Sequence, residues 1–155
     1  VKSASVVLTL DIAKGVIAVL IARAVIGTNA AEVAAALIVL VGHNWPVFLQ
    51  FKGGRGILTA LGGLAIMVPI AAVIATVAFI AITGLSRYIS LGSVIGVIIG
   101  AIAILGLALA DVQSNTYTVY GFIAATMIVW QHRDNIQRIR DGSERRLGQA
   151  ATKAD

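Results

Sequence analysis

The chain contains no cysteine. Disulfides and thiolate chemistry are therefore excluded. Charge is scarce: Asp, Glu, Lys and Arg make up only 12% of the 155 residues, against about 25% in a soluble domain. Aromatic residues are few, at 6%, so no platform for stacking nucleic-acid bases is visible. The net charge of +5 is accordingly not read as a nucleic-acid signal, and no nucleic-acid partner is expected. It fits the Lys and Arg excess of cytoplasmic loops in membrane proteins. No metal-ligand cluster is visible and the phosphate-loop spacing GxxxxGK[ST] is absent, so neither a metal nor a nucleotide loop is expected. No small-residue cleavage site follows a short apolar core in the opening VKSASVVLTL, and no signal peptide is expected there.

What is abundant is apolar length. Residues of that class make up 59% of the chain, and the bilayer is the expected solvent. A transmembrane helix needs about 20 mostly apolar residues. Apolar segments run over residues 5–26, 30–41, 57–83, 91–110 and 117–130. The third is long for one crossing and reads either as one kinked, tilted helix or as two short helices. At 1.5 Å per residue, 57–83 would span about 40 Å, against a hydrocarbon core of about 30 Å. Pro69 lies near its middle. Cations flank it on both sides, at Lys52 and Arg55 before and Arg87 after, whereas the stretches GTNAAE and DVQSNT contain no Lys or Arg. The positive-inside rule then places both flanks in the cytoplasm, which requires a hairpin of short helices turning near Pro69. The expected fold is an all-α polytopic membrane bundle of about six helices in one domain. Its amino end is cytoplasmic, and a soluble cytoplasmic tail starts at about residue 132.

Polar clusters punctuate this apolar background, all on the expected cytoplasmic side. In FKGGRG, Gly53, Gly54 and Gly56 let backbone N–H groups approach an anion at the start of a helix, where the dipole adds positive charge. Lys52 and Arg55 add full charges, and Arg can fork onto phosphate. The alternative is a flexible loop whose cations serve topology or lipid head groups. His43 precedes this loop and can cap its helix, orient the loop or touch substrate. In SRYISLGS, Arg87, Ser90 and Ser93 divide between helix capping and substrate contact. In HRDN, a continuing helix would put His132 and Asn135 on one face. There His132 can move protons and Asn135 can donate to an oxyanion. The alternative is a solvated interfacial helix whose Arg138 and Arg140 meet lipid phosphates. Asp11 and Lys14, three apart within the first segment, are read as a structural ion pair. The sum of these clusters is a cationic site at the membrane surface, suited to a phosphate head and an acyl tail. A small anion transporter built on broken helices is the rival reading.

The stretches LDIAKG, GHNWPVFLQFKGGRGILTALG, SRYISLGS and HRDNIQRIRDGSERRLG together resemble the bacterial glycerol-3-phosphate acyltransferases that use acyl phosphate, the PlsY family. The resemblance covers nearly the whole chain. It implies a seven-helix enzyme of the bacterial inner membrane with its active site facing the cytoplasm. Its substrates would be acyl phosphate and glycerol 3-phosphate, and its products lysophosphatidic acid and phosphate, without a cofactor. It implies phosphate binding by Lys52, Gly53, Gly54, Arg55 and Gly56, and active-site roles for His132, Asn135 and Ser90, supported by His43, Arg87 and Ser93. Arg55 stands where the family usually has Lys, and Asp134 where it usually has Glu. The resemblance further implies a motif with a serine and an arginine ahead of residue 1. The chain is therefore read as amino-terminally incomplete and is expected to be inactive or impaired as it stands.

Overall fold

The computed structural model describes residues 2–51 and 53–149. Among the described residues there are seven α-helices and no strand. They are α1 (Lys2–Val25), α2 (Asn29–Asn44), α3 (Ile57–Met67), α4 (Pro69–Ser86), α5 (Ile89–Leu109), α6 (Thr116–Gln131) and α7 (Arg133–Arg140), with a short 3-10 turn at Val47–Leu49 after α2. The first six are apolar and α7 is amphipathic. Large apolar side chains such as Leu10, Ile21, Ile38, Val77, Ile102 and Phe122 point outward. In a soluble protein such a belt would be a liability; here it faces lipid. The chain is a multi-pass membrane protein.

The long apolar run is broken where proline demands it. Val68 is extended (φ −141°, ψ 76°) and ends α3, and Pro69 opens α4 at its first position. Proline has no N–H to donate and disfavours helix in the residue before it. The resulting pieces are unequal. The 11 residues of α3 reach only about 16 Å and the 16 of α6 about 24 Å. Four spans are long and apolar enough to cross by themselves: 5–25, 29–49, 69–86 and 89–109. The six expected helices are present, but α3 is a half-length helix held inside the bundle.

Glycine allows that burial. A Cβ on Gly15 of α1 would lie 2.1 Å from the Thr59 carbonyl oxygen, and one on Gly62 of α3 would lie 2.3 Å from the Ile12 carbonyl oxygen. The two backbones therefore touch directly, which any side chain would prevent. On the other side Tyr120 of α6 donates to the Ala60 carbonyl at 2.7 Å. At the end of α3, Arg23 donates to the Ile66 carbonyl at 3.1 Å and forks onto Glu32 at 2.7 and 2.9 Å. Tyr117 also donates to Glu32 at 3.0 Å. This cluster lies beside the chain stretch expected to be free of cations; Arg23, four residues earlier, reaches into it.

The tail packs back on the helices. The carbonyl of Arg87 accepts from Leu147 N–H at 2.6 Å, and its guanidinium donates to the Leu147 carbonyl at 2.9 Å. Arg146 lies over the Tyr88 ring at 5.4 Å. The segment through residue 149 is thereby docked onto the α4–α5 junction.

Candidate functional site

The polar residues form two clusters joined by the glycine loop. The first sits at the end of α2. There the chain turns through Pro46 and the 3-10 helix, with Gln50 and Phe51 left-handed (φ 52° and 62°). It returns so that Gly54 N–H donates to the His43 carbonyl at 3.2 Å. A Cβ on Gly53 would lie 2.1 Å from that same oxygen, and one on Gly54 would lie 2.1 Å from His43 Nε2. Gly56 is left-handed (φ 78°), and its Cβ would strike Leu40 and Asn44. The loop is thus a packed one rather than the flexible alternative. Its glycines let backbone lie against backbone, and only Gly56 among them needs positive φ. Lys52 lies outside the described residues.

Helix α3 starts directly after this loop, so its first N–H groups have no partner within the helix. Arg55 is exposed, and none of the described residues makes a hydrogen bond or ion pair with it. Nearby, Asn44 and Thr59 are each 1% exposed and their side-chain polar atoms have no partner. Lys14 donates to Asp11 at 2.7 Å and also contacts His43 Nδ1. The expected ion pair is present, but it reaches a third residue.

The second cluster brings together α5, the α6–α7 junction and the tail. His132 does not continue α6; it is the non-helical joint between α6 and α7. It and Asn135 are nonetheless both buried. His132 Nδ1 lies 2.8 Å from the Ile128 carbonyl. A carbonyl only accepts, so Nδ1 carries the hydrogen and Nε2 keeps its lone pair. Burial holds the imidazole below its ordinary value of 6.5; the bond to Ile128 and the charge of Glu144 oppose this, and the charge of Arg55 adds to it. His132 is therefore neutral at pH 7, and Arg55 is electrically coupled to it.

At the centre of this cluster is a residue the motif reading passed over, Glu144. It accepts from Ser90 Oγ at 2.6 Å, Asn135 Nδ2 at 2.6 Å and Arg138 Nε at 2.8 Å. Burial would raise its carboxyl value, but the hydrogen bonds from Ser90, Asn135 and Arg138 outweigh burial and hold it below 4.5. Glu144 was detectable only as a lone acid among arginines in GSERRLG. Nothing in its spacing ties it to Ser90, 54 residues earlier. Asn135 offers its amide nitrogen to Glu144, and its Oδ1 is buried without a partner. Arg138, a lipid contact under the alternative reading, is the third donor. Neither Ser90 nor Ser93 caps α5, whose N-cap is Tyr88. Ser93 bonds back to the Ile89 carbonyl at 3.0 Å. The guanidinium and carbonyl of Arg87 bond to the tail, and its N–H closes α4 on the Thr83 carbonyl.

An apolar cavity of about 270 Å³ opens among α3, α4, α5 and α6. Ile57 and Leu58 line it where α3 leaves the glycine loop, and Ser93, Phe79, Gly100 and Ile104 line it further along. Among the described residues no group of three or more His, Asp or Glu could hold a metal ion.

A family model described as glycerol-3-phosphate acyltransferase matches residues 1–142. The chain belongs to the glycerol-3-phosphate acyltransferase family. It is 42% identical to glycerol-3-phosphate acyltransferase 3 of Dehalococcoides mccartyi (strain CBDB1), over 97% of this chain and 75% of that protein. It is 40% identical to the glycerol-3-phosphate acyltransferase of Thermus thermophilus, over 94% of this chain and 71% of that one. The fold is similar to the crystal structure of PlsY (YgiH), an integral membrane glycerol 3-phosphate acyltransferase, in its glycerol 3-phosphate form. The TM-score is 0.84 at 32% identity, over 95% of this chain and 72% of that chain. The lysophosphatidic acid form of the same acyltransferase matches at 0.84 and 33%, over 95% and 74%.

Proposed function

We propose that the chain transfers a fatty acyl group from acyl phosphate to the 1-hydroxyl of glycerol 3-phosphate, releasing lysophosphatidic acid and inorganic phosphate. The observation that carries this reading is a juxtaposition at one helix start. The unpaired Arg55 and the free N–H groups of α3 can meet an anion, and the first two residues of that helix, Ile57 and Leu58, line an apolar chamber. An anionic head and an acyl tail are thereby served side by side. The crystal structures of PlsY in its glycerol 3-phosphate and lysophosphatidic acid forms support the same acceptor and product.

The donor is a mixed anhydride, so no covalent enzyme nucleophile is needed. The hydroxyl oxygen of glycerol 3-phosphate attacks the acyl carbonyl carbon. The new C–O ester bond forms, the carbon–oxygen bond to phosphate breaks, and phosphate leaves with the electron pair. The hydroxyl proton goes to His132 Nε2 or to the leaving phosphate. Gly53, Gly54, Gly56 and Arg55, with Lys52 beside them, hold the glycerol phosphate. Asn135 and Ser90 are set in place through Glu144. Alignment of two anions and neutralisation of their repulsion supply the catalysis. The site faces the cytoplasm of a bacterial inner membrane.

The test uses purified protein in lipid nanodiscs with palmitoyl phosphate and labelled glycerol 3-phosphate. The chain is assayed both alone and with the amino-terminal segment of the Dehalococcoides relative fused before it. Phosphate and lysophosphatidic acid should appear in equal amounts from the fusion. Arg55→Ala should raise KM for glycerol 3-phosphate roughly 10- to 100-fold, the scale of one hydrogen bond to a charged group. A folded fusion that makes no product refutes the reading. Uptake of labelled ester into sealed vesicles would then favour the transporter.

A further inference from the structure

The packing of Asp11, Lys14 and His43 against the loop has a use beyond charge neutralisation. Lys14 is an ammonium with three hydrogens and no lone pair. It donates to Asp11 Oδ1 at 2.7 Å and contacts His43 Nδ1. The Asp11 carboxylate lies 3.5 Å from the same Nδ1, with Lys14 closer to both. A hydrogen on Nδ1 would point at the ammonium, so Nδ1 must be the acceptor. The imidazole hydrogen is therefore on Nε2. That nitrogen is the ring atom nearest the loop: a Cβ on Gly54 would lie 2.1 Å from Nε2 and 2.7 Å from Cε1.

We propose that Lys14, held by Asp11, is a positioning residue that locks His43 in the tautomer presenting Nε2–H to the glycine loop, making His43 a fixed donor to the bound phosphate. The inference rests on the reading of that loop as the phosphate cradle. An unlocked histidine would offer a lone pair to an anion in part of its population, which repels where a donor attracts. A second-sphere partner that fixes an imidazole tautomer is a general device. The other histidine, His132, is held the opposite way, with its hydrogen on Nδ1 facing Ile128. The chain has two histidines, so the prediction is one of each tautomer.

The first measurement is the nitrogen NMR spectrum of protein labelled at histidine in nanodiscs, with His132→Asn assigning the signals. His43 should show a bare Nδ1 and a protonated Nε2. In Lys14→Met the two His43 tautomers should mix, and in Lys14→Arg, which keeps a donor, the lock should return. The second measurement is the affinity for glycerol 3-phosphate by phosphorus NMR titration, which needs no turnover. His43→Ala should weaken binding roughly tenfold. Lys14→Met should weaken it several-fold, and Lys14→Arg should restore most of it. His43→Gln supplies an amide donor near the Nε2 position without a tautomer, so adding Lys14→Met to it should cost little more. A wild-type His43 with its hydrogen on Nδ1 overturns the proposal whatever the affinities are. Unchanged binding in Lys14→Met, with binding lost in Arg55→Ala, overturns the positioning role and leaves the cradle standing. Unchanged binding in both overturns the cradle itself.

Discussion

Removing the Glu144 carboxylate should loosen the second cluster measurably. In Glu144→Ala three donors lose their acceptor. A hydrogen bond to a charged group contributes about 1.5–3 kcal/mol, and a buried donor left unsatisfied costs about 1–3 kcal/mol. Ser90 and Asn135 are 5% and 3% exposed, so water cannot easily replace the lost partner. Arg138 has 43% of its side chain exposed and can turn to solvent, so its share is small. The three losses share one acceptor and do not add. A total of about 3–5 kcal/mol is reasonable, and at about 2–4 °C per kcal/mol for a chain of this size the Tm should fall by roughly 10 °C. Glu144→Gln keeps one carbonyl acceptor and should lose about half as much. The effect carries a pH signature. The folded carboxyl value lies below the ordinary 4.5, so the stabilisation is complete above 4.5 and is lost as pH falls through the folded value. The gap between wild type and Glu144→Ala should therefore be full at pH 7 and close at strongly acid pH. Thermal unfolding in nanodiscs across this range is the assay. A Tm within about 2 °C of wild type at pH 7, or a gap that persists unchanged into acid, would refute the reasoning.

The Arg23–Glu32 pair should respond asymmetrically to truncation. Glu32 is 5% exposed at its side chain and Arg23 45%, so Arg23→Ala strands a buried carboxylate while Glu32→Ala frees a cation that can reach the interface. The former should cost about 3–5 kcal/mol and the latter clearly less, read as two Tm values in order. Gly15→Ala, whose Cβ meets the Thr59 carbonyl at 2.1 Å, should destabilise by at least about 1–3 kcal/mol. Gly106→Ala in α5, which meets nothing within 4 Å, should be neutral or stabilise by up to about 1 kcal/mol. Gly54→Ala should displace the His43 ring and weaken glycerol 3-phosphate binding at least tenfold, on the scale of one lost charged hydrogen bond, in the same phosphorus titration.

The sequence by itself determined the solvent, the helices and the break. Apolar runs with so little charge leave lipid as the only medium, and Pro69 kinks or breaks any helix that runs through it. Those are local or compositional properties, and local chemistry fixes them. The motifs also marked where polar chemistry gathers: His43, the glycine loop, Ser90, His132 and Asn135 all lie in one of the two clusters. Tertiary structure decided which of these residues meet, and through whom. Glu144 of the tail gathers Ser90 from α5 and Asn135 and Arg138 from α7, and no periodicity links it to Ser90, 54 residues earlier. It also decided that the loop glycines serve close packing on α2, that Ser93 turns to its own helix, and that Lys14 reaches past Asp11 to His43. Such contacts depend on how helices pack, and helix packing is set by side-chain shape across the bundle, which spacing along one strand of sequence does not encode.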